Sequence, residues 1–173
     1  MGLRFGLLGT GYWAAETHAA ALRAHPEATL AGVWGRDPAK ASALAERYGT
    51  RSHEDVDALL ADVDAVAIAL PPDVQAELAL RAARAGKHLL LDKPVALSTV
   101  AADALTSEVV ERGLASVVFF TSRFSDNVTE FVESAAAEGG WHGARATLFA
   151  SIFEPGNPYG ASPWRREKGG LWD

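Results

Sequence analysis

The chain has 173 residues, a formal net charge of −6 and apolar side chains at 49% of positions. Acidic and basic residues are interspersed, and no basic run exists to displace counterions from a phosphate backbone, which argues against a nucleic-acid partner. Cysteine is absent, so disulfides, thiolate metal sites and thiol nucleophiles are excluded, and a reducing cytoplasmic location is expected. Leu3–Leu8 reads as a strand and Tyr12–Ala24 as a helix. Leu30–Trp34 is a second strand, and Pro38–Tyr48 a helix with Ala41, Leu44, Ala45 and Tyr48 on one face. Asp37 suits its N-cap, Pro38 its first turn and Gly49 its stop. Val63–Leu70 is a buried strand halted at Pro71-Pro72, after which a helix runs to about Ala85. Lys87–Leu91, continuous in Leu, predicts a strand covered on both faces. A helix capped by Ser98 ends at Gly113, and Ala115–Phe120 is again a strand.

Strands alternating with helices predict a doubly wound parallel α/β sheet over residues 1–121. Beyond Thr121 the rhythm changes. Ser125–Ala137 is an amphipathic helix with Val128, Phe131, Val132 and Ala135 inward, and Ala144–Phe153 reads as a long strand. Residues 122–173 thus read as the start of an α+β substrate-binding domain, too short to bury its own core, and a fragment is expected. The stretch Met1–Ala15 is rejected as a signal peptide, because Gly9 and Gly11 interrupt it and Glu16 and His18 follow. No apolar run approaches the roughly 18–20 residues of a membrane helix, so no membrane partner is expected.

Gly9-Thr10-Gly11-Tyr12-Trp13-Ala14 is G-x-G-x-x-A, set between the first strand and the first helix. The placement suits a pyrophosphate: Gly9 permits the tight turn, Gly11 lets the backbone approach, and Ala14 lets helix and strand pack closely. The helix N-terminus adds N–H groups and a favourable dipole. A dinucleotide on the backbone of Gly9, Thr10, Gly11, Tyr12 and Trp13 is the reading adopted; a plain strand-to-helix turn is the alternative.

The end of the second strand discriminates between cofactors. An acidic residue there binds the ribose 2′-OH of NAD, whereas an Arg accommodates the 2′-phosphate of NADP. The strand ends Val33-Trp34-Gly35-Arg36-Asp37, with Gly35 at the expected acidic place. A guanidinium matches phosphate and Gly35 is expected to leave room for it, so NADP is favoured. NAD is the alternative, should Asp37 turn to the ribose instead of capping its helix.

At Leu70-Pro71-Pro72 and at Gly86-Lys87-His88-Leu89-Leu90-Leu91-Asp92-Lys93-Pro94 the sequence resembles the Gfo/Idh/MocA oxidoreductase family, the group of glucose–fructose oxidoreductases and inositol dehydrogenases. The resemblance runs from the first strand to Asp173. Family members usually carry Glu-Lys-Pro where this chain has Asp92-Lys93-Pro94, and often a His where it has Gln75. The resemblance implies a catalytic role for Lys93, with Asp92 as an orienting partner. It also implies cofactor contacts at Leu70, Pro71, Pro72, Gln75, Asp92 and Lys93. Arg123-Phe124 resembles the family's domain-junction pair, and Trp164-Arg165 the pair that reaches the cofactor from the second domain. Gly169-Gly170-Leu171-Trp172-Asp173 resembles a segment carrying a catalytic Asp and, four residues later, a His. Asp173 matches the Asp; the His position lies beyond the last residue.

A lysine after a parallel strand stands at the crevice where doubly wound sheets bind ligands. It can hydrogen-bond a substrate oxygen and stabilise charge there as hydride moves. The expectation is therefore hydride transfer between NADP, or alternatively NAD, and a sugar, polyol or related hydroxy/carbonyl compound. The full-length protein is expected to be a homo-oligomer. A non-catalytic dinucleotide-binding module or regulatory subunit is the competing reading. His18, His25, His53, His88 and His142 read as structural or solvated, and no pair has convincing metal-ligand spacing.

Overall fold

The computed structural model of the protein describes residues 2–147 and 149–160. Five parallel strands form one sheet in the order β2-β1-β3-β4-β5: β1 Leu3–Leu8, β2 Ala28–Trp34, β3 Ala65–Ile68, β4 His88–Leu91 and β5 Ser116–Val118. Helices α1 (Ala20–Ala24), α2 (Pro38–Tyr48), α3 (Val56–Ala61), α4 (Pro72–Arg84) and α5 (Thr99–Glu111) connect them. A 3-10 turn at Thr121–Phe124 and α6 (Asp126–Glu138) follow.

Successive side chains of a strand point to opposite faces, and the two cores divide accordingly. Leu8, Val66, Ile68, Leu89 and Leu91 pack with α3, α4 and Leu105 of α5 on one face. Leu7, Val33 and Ala67 pack with Ala14, Ala19, Leu22, Leu44 and Ala45 on the other, and Leu90 leans on that cluster. Both faces of the central strands are covered, as the Leu-rich fourth strand predicts.

The α2 boundaries follow from its caps. The Asp37 carboxylate accepts from the Ala39 and Lys40 amides at 3.0 and 3.2 Å, and Gly49 closes the helix in the left-handed region at φ 65°. Ser98 caps α5 through the Ala101 amide.

Four expectations are corrected. The first helix is not α-helical throughout, because Ala14–Ala19 forms a π segment. Its wide turn brings Trp13 and His18, five residues apart, into edge-on contact at 6.4 Å between ring centroids. Tyr48 Oη donates to the Ala15 carbonyl within that segment at 2.6 Å. Second, α3 has no counterpart in the sequence reading. Gly6 and Gly32 are paired across β1 and β2, and Leu59 of α3 seats over both. A Cβ at Gly6 would stand 2.9 Å from Leu59 Cγ, and one at Gly32 2.8 Å from Leu59 Cδ1.

Third, no strand forms among the described residues of 144–153, which run irregularly into turns with Phe149 92% exposed. A strand's amides and carbonyls need a neighbouring strand, and none of the described strands offers that segment a partner. Fourth, α6 buries no residue: Phe131 and Val132 face outward at 71% and 56% exposure. Val128 and Ala135 of its apolar stripe are half-buried, and the Trp141 indole donates to the Ala135 carbonyl at 2.7 Å, but no residue of the stripe is enclosed.

Leu59 is fully buried, so Leu59→Ala should lower unfolding stability by about 2–5 kcal/mol, read from urea denaturation. A loss below about 0.5 kcal/mol would show that the glycine notch does not anchor α3.

Candidate active site

Parallel register fixes where the chemistry-bearing loops emerge. Leu8 pairs with both Trp34 and Ile68, and Ile68 pairs with Leu91. The four strands therefore end level, and the segments after them share the carboxyl edge of the sheet. Those segments are Gly9–Trp13, Gly35–Arg36, Leu70–Pro72 and Asp92–Lys93. The chain crosses from β2 to β3 on opposite sides of β1. Ligands of such sheets bind at that reversal.

Gly9 adopts φ 129°, and a Cβ there would meet the Ala69 carbonyl oxygen at 2.5 Å. Its amide donates to the Trp34 carbonyl at 2.9 Å, while the Ala69 amide donates to Leu8 at 2.9 Å. The turn is thus tied to both neighbouring strands. Gly11 is the opposite case: it is exposed, and a Cβ built there meets nothing within 4 Å. No protein contact requires glycine at 11, whereas a diphosphate approaching the backbone does. The loop's residues fit a dinucleotide in this respect, with the first-turn N–H groups of the helix as donors.

The space beside Gly35 is used differently from the expectation. A Cβ there would stand 2.5 Å from Thr10 Cγ2, so the methyl of the phosphate loop occupies the room expected for a 2′-phosphate. Arg36 is exposed, with no hydrogen bond or ion pair among the described residues. Asp37 is committed to its cap and stands 3.8 Å from the Lys40 ammonium.

Leu70 and Pro71 are half-buried, and Pro72 is buried at the start of α4. Gln75, one turn on, is only 1% exposed. Its Nε2 donates to the carbonyls of Asp92 at 2.7 Å and Pro94 at 3.1 Å, and its Oε1 accepts from the Asp92 amide at 3.0 Å. Asp92 Oδ1 in turn accepts from the Lys93 amide at 2.9 Å. Asp92 and Lys93 are both half-buried, and the Lys93–Pro94 peptide is cis.

An aromatic group that no local pattern in the sequence signals gathers beside the phosphate loop. Tyr159 lies edge-on to Tyr12 at 5.5 Å and tilted against Trp13 at 6.0 Å. His18 meets Phe119 at 5.7 Å, and Phe119 meets Phe124 at 5.6 Å. Burial pushes the His18 imidazole down to about 4, so it is neutral at pH 7. His25 Nδ1 and His88 Nδ1 accept the Glu27 and Ala115 amides, and His53 Nε2 stands 3.8 Å from Asp62. Among the described residues no group of three His, Asp or Glu could hold a metal ion, and no helix is long and apolar enough to cross a membrane. Trp164, Arg165 and Asp173 lie outside the described residues.

Comparison with known proteins identifies the family. A model of the Gfo/Idh/MocA oxidoreductase family, with an NAD-binding Rossmann fold, matches residues 3–120. An inositol 2-dehydrogenase of Rhizobium meliloti is 38% identical over 126 residues, covering 72% of this chain and 38% of that protein. A dTDP-3,4-didehydro-2,6-dideoxy-alpha-D-glucose 3-reductase of Streptomyces antibioticus is 31% identical over 173 residues, covering 97% of this chain and 51% of its own length. Among solved structures, the 3-ketoreductase KijD10 of Actinomadura kijaniata, in complex with NADP and TDP-benzene, superposes with a TM-score of 0.73 at 33% identity. That match covers 80% of this chain and 43% of the other. The chain therefore spans about half or less of the length of these relatives. The phosphate loop, the level strand ends and the matched family model lead to one conclusion: the chain belongs to the Gfo/Idh/MocA oxidoreductases and carries their NAD-binding Rossmann domain.

Proposed function

We propose that the protein is an NADP-dependent dehydrogenase or reductase acting on a sugar, polyol or related hydroxy/carbonyl compound. The observation that carries the reading is the alignment of the open Gly11 backbone with the Asp92–Lys93 loop on one edge of the sheet. The relatives support the substrate class by their names, and the neighbour that holds NADP supports the cofactor. When bound, the nicotinamide supplies the capacity to exchange hydride with carbon.

The chain's own residues do the rest. The backbone of Gly9–Trp13 binds the diphosphate and fixes its direction. Leu70, Pro71 and Pro72 wall the crevice between the phosphate loop and Lys93. Lys93 donates a hydrogen bond from its ammonium to the substrate oxygen, stabilises the negative charge that grows there when a carbonyl is reduced and passes it the proton that completes the alcohol; in oxidation the step runs in reverse, the neutral amine taking the hydroxyl proton as hydride leaves carbon. The family resemblance adds to this reading a substrate-binding unit over residues 122–173, a share in the proton transfer for Asp173 and a cofactor contact for Trp164-Arg165. Homo-oligomerisation and a cytoplasmic location belong to the same reading.

NADP is preferred over NAD because Arg36 is uncommitted among the described residues while the adjacent carboxylate, Asp37, caps α2. The room for the 2′-phosphate is then on the solvent side of Arg36 and not over Gly35.

Three measurements test the reading. Gly11→Ala should leave thermal stability unchanged, since its methyl meets no protein atom, yet weaken NADPH binding at least about tenfold in a calorimetric titration, a loss of 1.4 kcal/mol. Undiminished binding would move the diphosphate off this loop. Arg36→Ala should weaken NADPH by about tenfold or more and leave NADH unaffected; equal losses would cancel the 2′-phosphate assignment. In the full-length protein, Lys93→Ala should cut kcat by about 10²–10⁴-fold at unchanged NADPH affinity. Dinucleotide binding with no turnover on any sugar or polyol would instead leave a binding module.

A further inference from the structure

One buried side chain holds the loop that carries Lys93. Gln75 sits in the first turn of α4, directly after the segment Leu70–Pro72, and reaches across to the end of β4. Its carboxamide has two donor hydrogens and an acceptor oxygen. The two donors meet the carbonyls of Asp92 and Pro94 at 2.7 and 3.1 Å, the residues on either side of Lys93, and the acceptor takes the Asp92 amide at 3.0 Å. The Val95 carbonyl, at 3.5 Å, is at the outer limit of a further contact. The Asp92 amide is also shared with the Ile68 carbonyl of β3 at 3.2 Å. Only one orientation of the carboxamide satisfies this set, because a flip would turn oxygen toward two carbonyls and nitrogen toward an N–H.

With 1% of its surface exposed, Gln75 has no face to offer a dinucleotide. Its neighbours are backbone groups, and Pro94 has no N–H through which the loop could otherwise be tied. A neutral imidazole, the group the resembling family often places here, carries one donor and one acceptor. It could not hold both carbonyls while accepting from Asp92.

We propose that Gln75 is a positioning residue, a three-point clamp that fixes the backbone on both sides of Lys93, and not a cofactor ligand. The inference rests on Lys93 as the group that meets the substrate oxygen. It adds that the aim of Lys93 is set from α4, so the Leu70–Pro72 wall and the Lys93 loop move as one unit.

The test uses the full-length protein and compares Gln75→Leu, Gln75→Glu and Gln75→His with wild type. Three readouts are taken: amide hydrogen exchange at Asp92 and Lys93 without ligands, NADPH affinity, and steady-state kinetics on the best sugar substrate. Gln75→Leu should speed exchange at Asp92 by about tenfold or more and lower kcat by about 10²-fold, with NADPH affinity and KM little changed. Gln75→Glu, which sets a carboxylate against two carbonyls, should match it, and Gln75→His should recover part of both losses. Should the Leu variant fail to fold, Glu and His are read against wild type in the same way. Unchanged exchange in the variants overturns the clamp. So does a fall in NADPH affinity parallel to the fall in kcat, which would make Gln75 a cofactor ligand. If wild type turns over no sugar, the hydride reading fails, while exchange still decides the clamp by itself.

Discussion

Parallel strand register is the constraint on which the site depends. Each hydrogen-bonded pair in a parallel ladder fixes the next, so a slip of one residue in β3 would turn Val66 and Ile68 out of their core and Ala67 out of the other. The burial of those faces therefore holds the register, and the register sets the strand ends level. The segments Gly9–Trp13, Gly35–Arg36, Leu70–Pro72 and Asp92–Lys93 meet at the carboxyl edge because the hydrophobic alternation inside the sheet leaves them no other place. The chemistry is a consequence of packing some distance beneath it.

Small residues act at three separate points of this scheme, each for a different neighbour. Gly6 and Gly32 make a notch for Leu59, and Gly35 makes room for the methyl of Thr10. Gly9 turns the chain so tightly that its missing Cβ would overlap the Ala69 carbonyl. Gly11, in the same loop as Gly9, has no protein atom within 4 Å of a built Cβ. The first four answer to the fold, and on the proposed reading Gly11 answers to a ligand. That contrast separates what the loop needs in order to exist from what it needs in order to bind.

Much of this was legible in the sequence, for physical reasons. The sheet, α2 with both its caps, and the position of Lys93 after a buried strand follow from periodicity, Asp37, Gly49 and the Leu run. α3 was not legible: six residues give too short a period to stand out, and its anchor is a glycine pair that meets only after β1 and β2 associate. The π segment escaped because its register depends on tertiary partners such as Tyr48. The role of Gln75 was likewise out of reach, since its partners are backbone groups 17 and 19 residues away. Residues 144–153 alternate like a strand, but alternation supplies only a face and not the neighbour whose amides a strand requires. Tyr159 beside Tyr12 and Trp13 is a contact of the same non-local kind.

The central claim is that a single dinucleotide reaches from the phosphate loop to the lysine loop. The most direct measurement is an NADPH titration followed through backbone amide and indole NMR signals of the isotope-labelled protein. The account predicts that Gly9–Trp13 and Asp92–Lys93 shift together along one saturation curve, with the Trp13 indole among them. Shifts confined to one of these segments, or two curves with different midpoints, would contradict it.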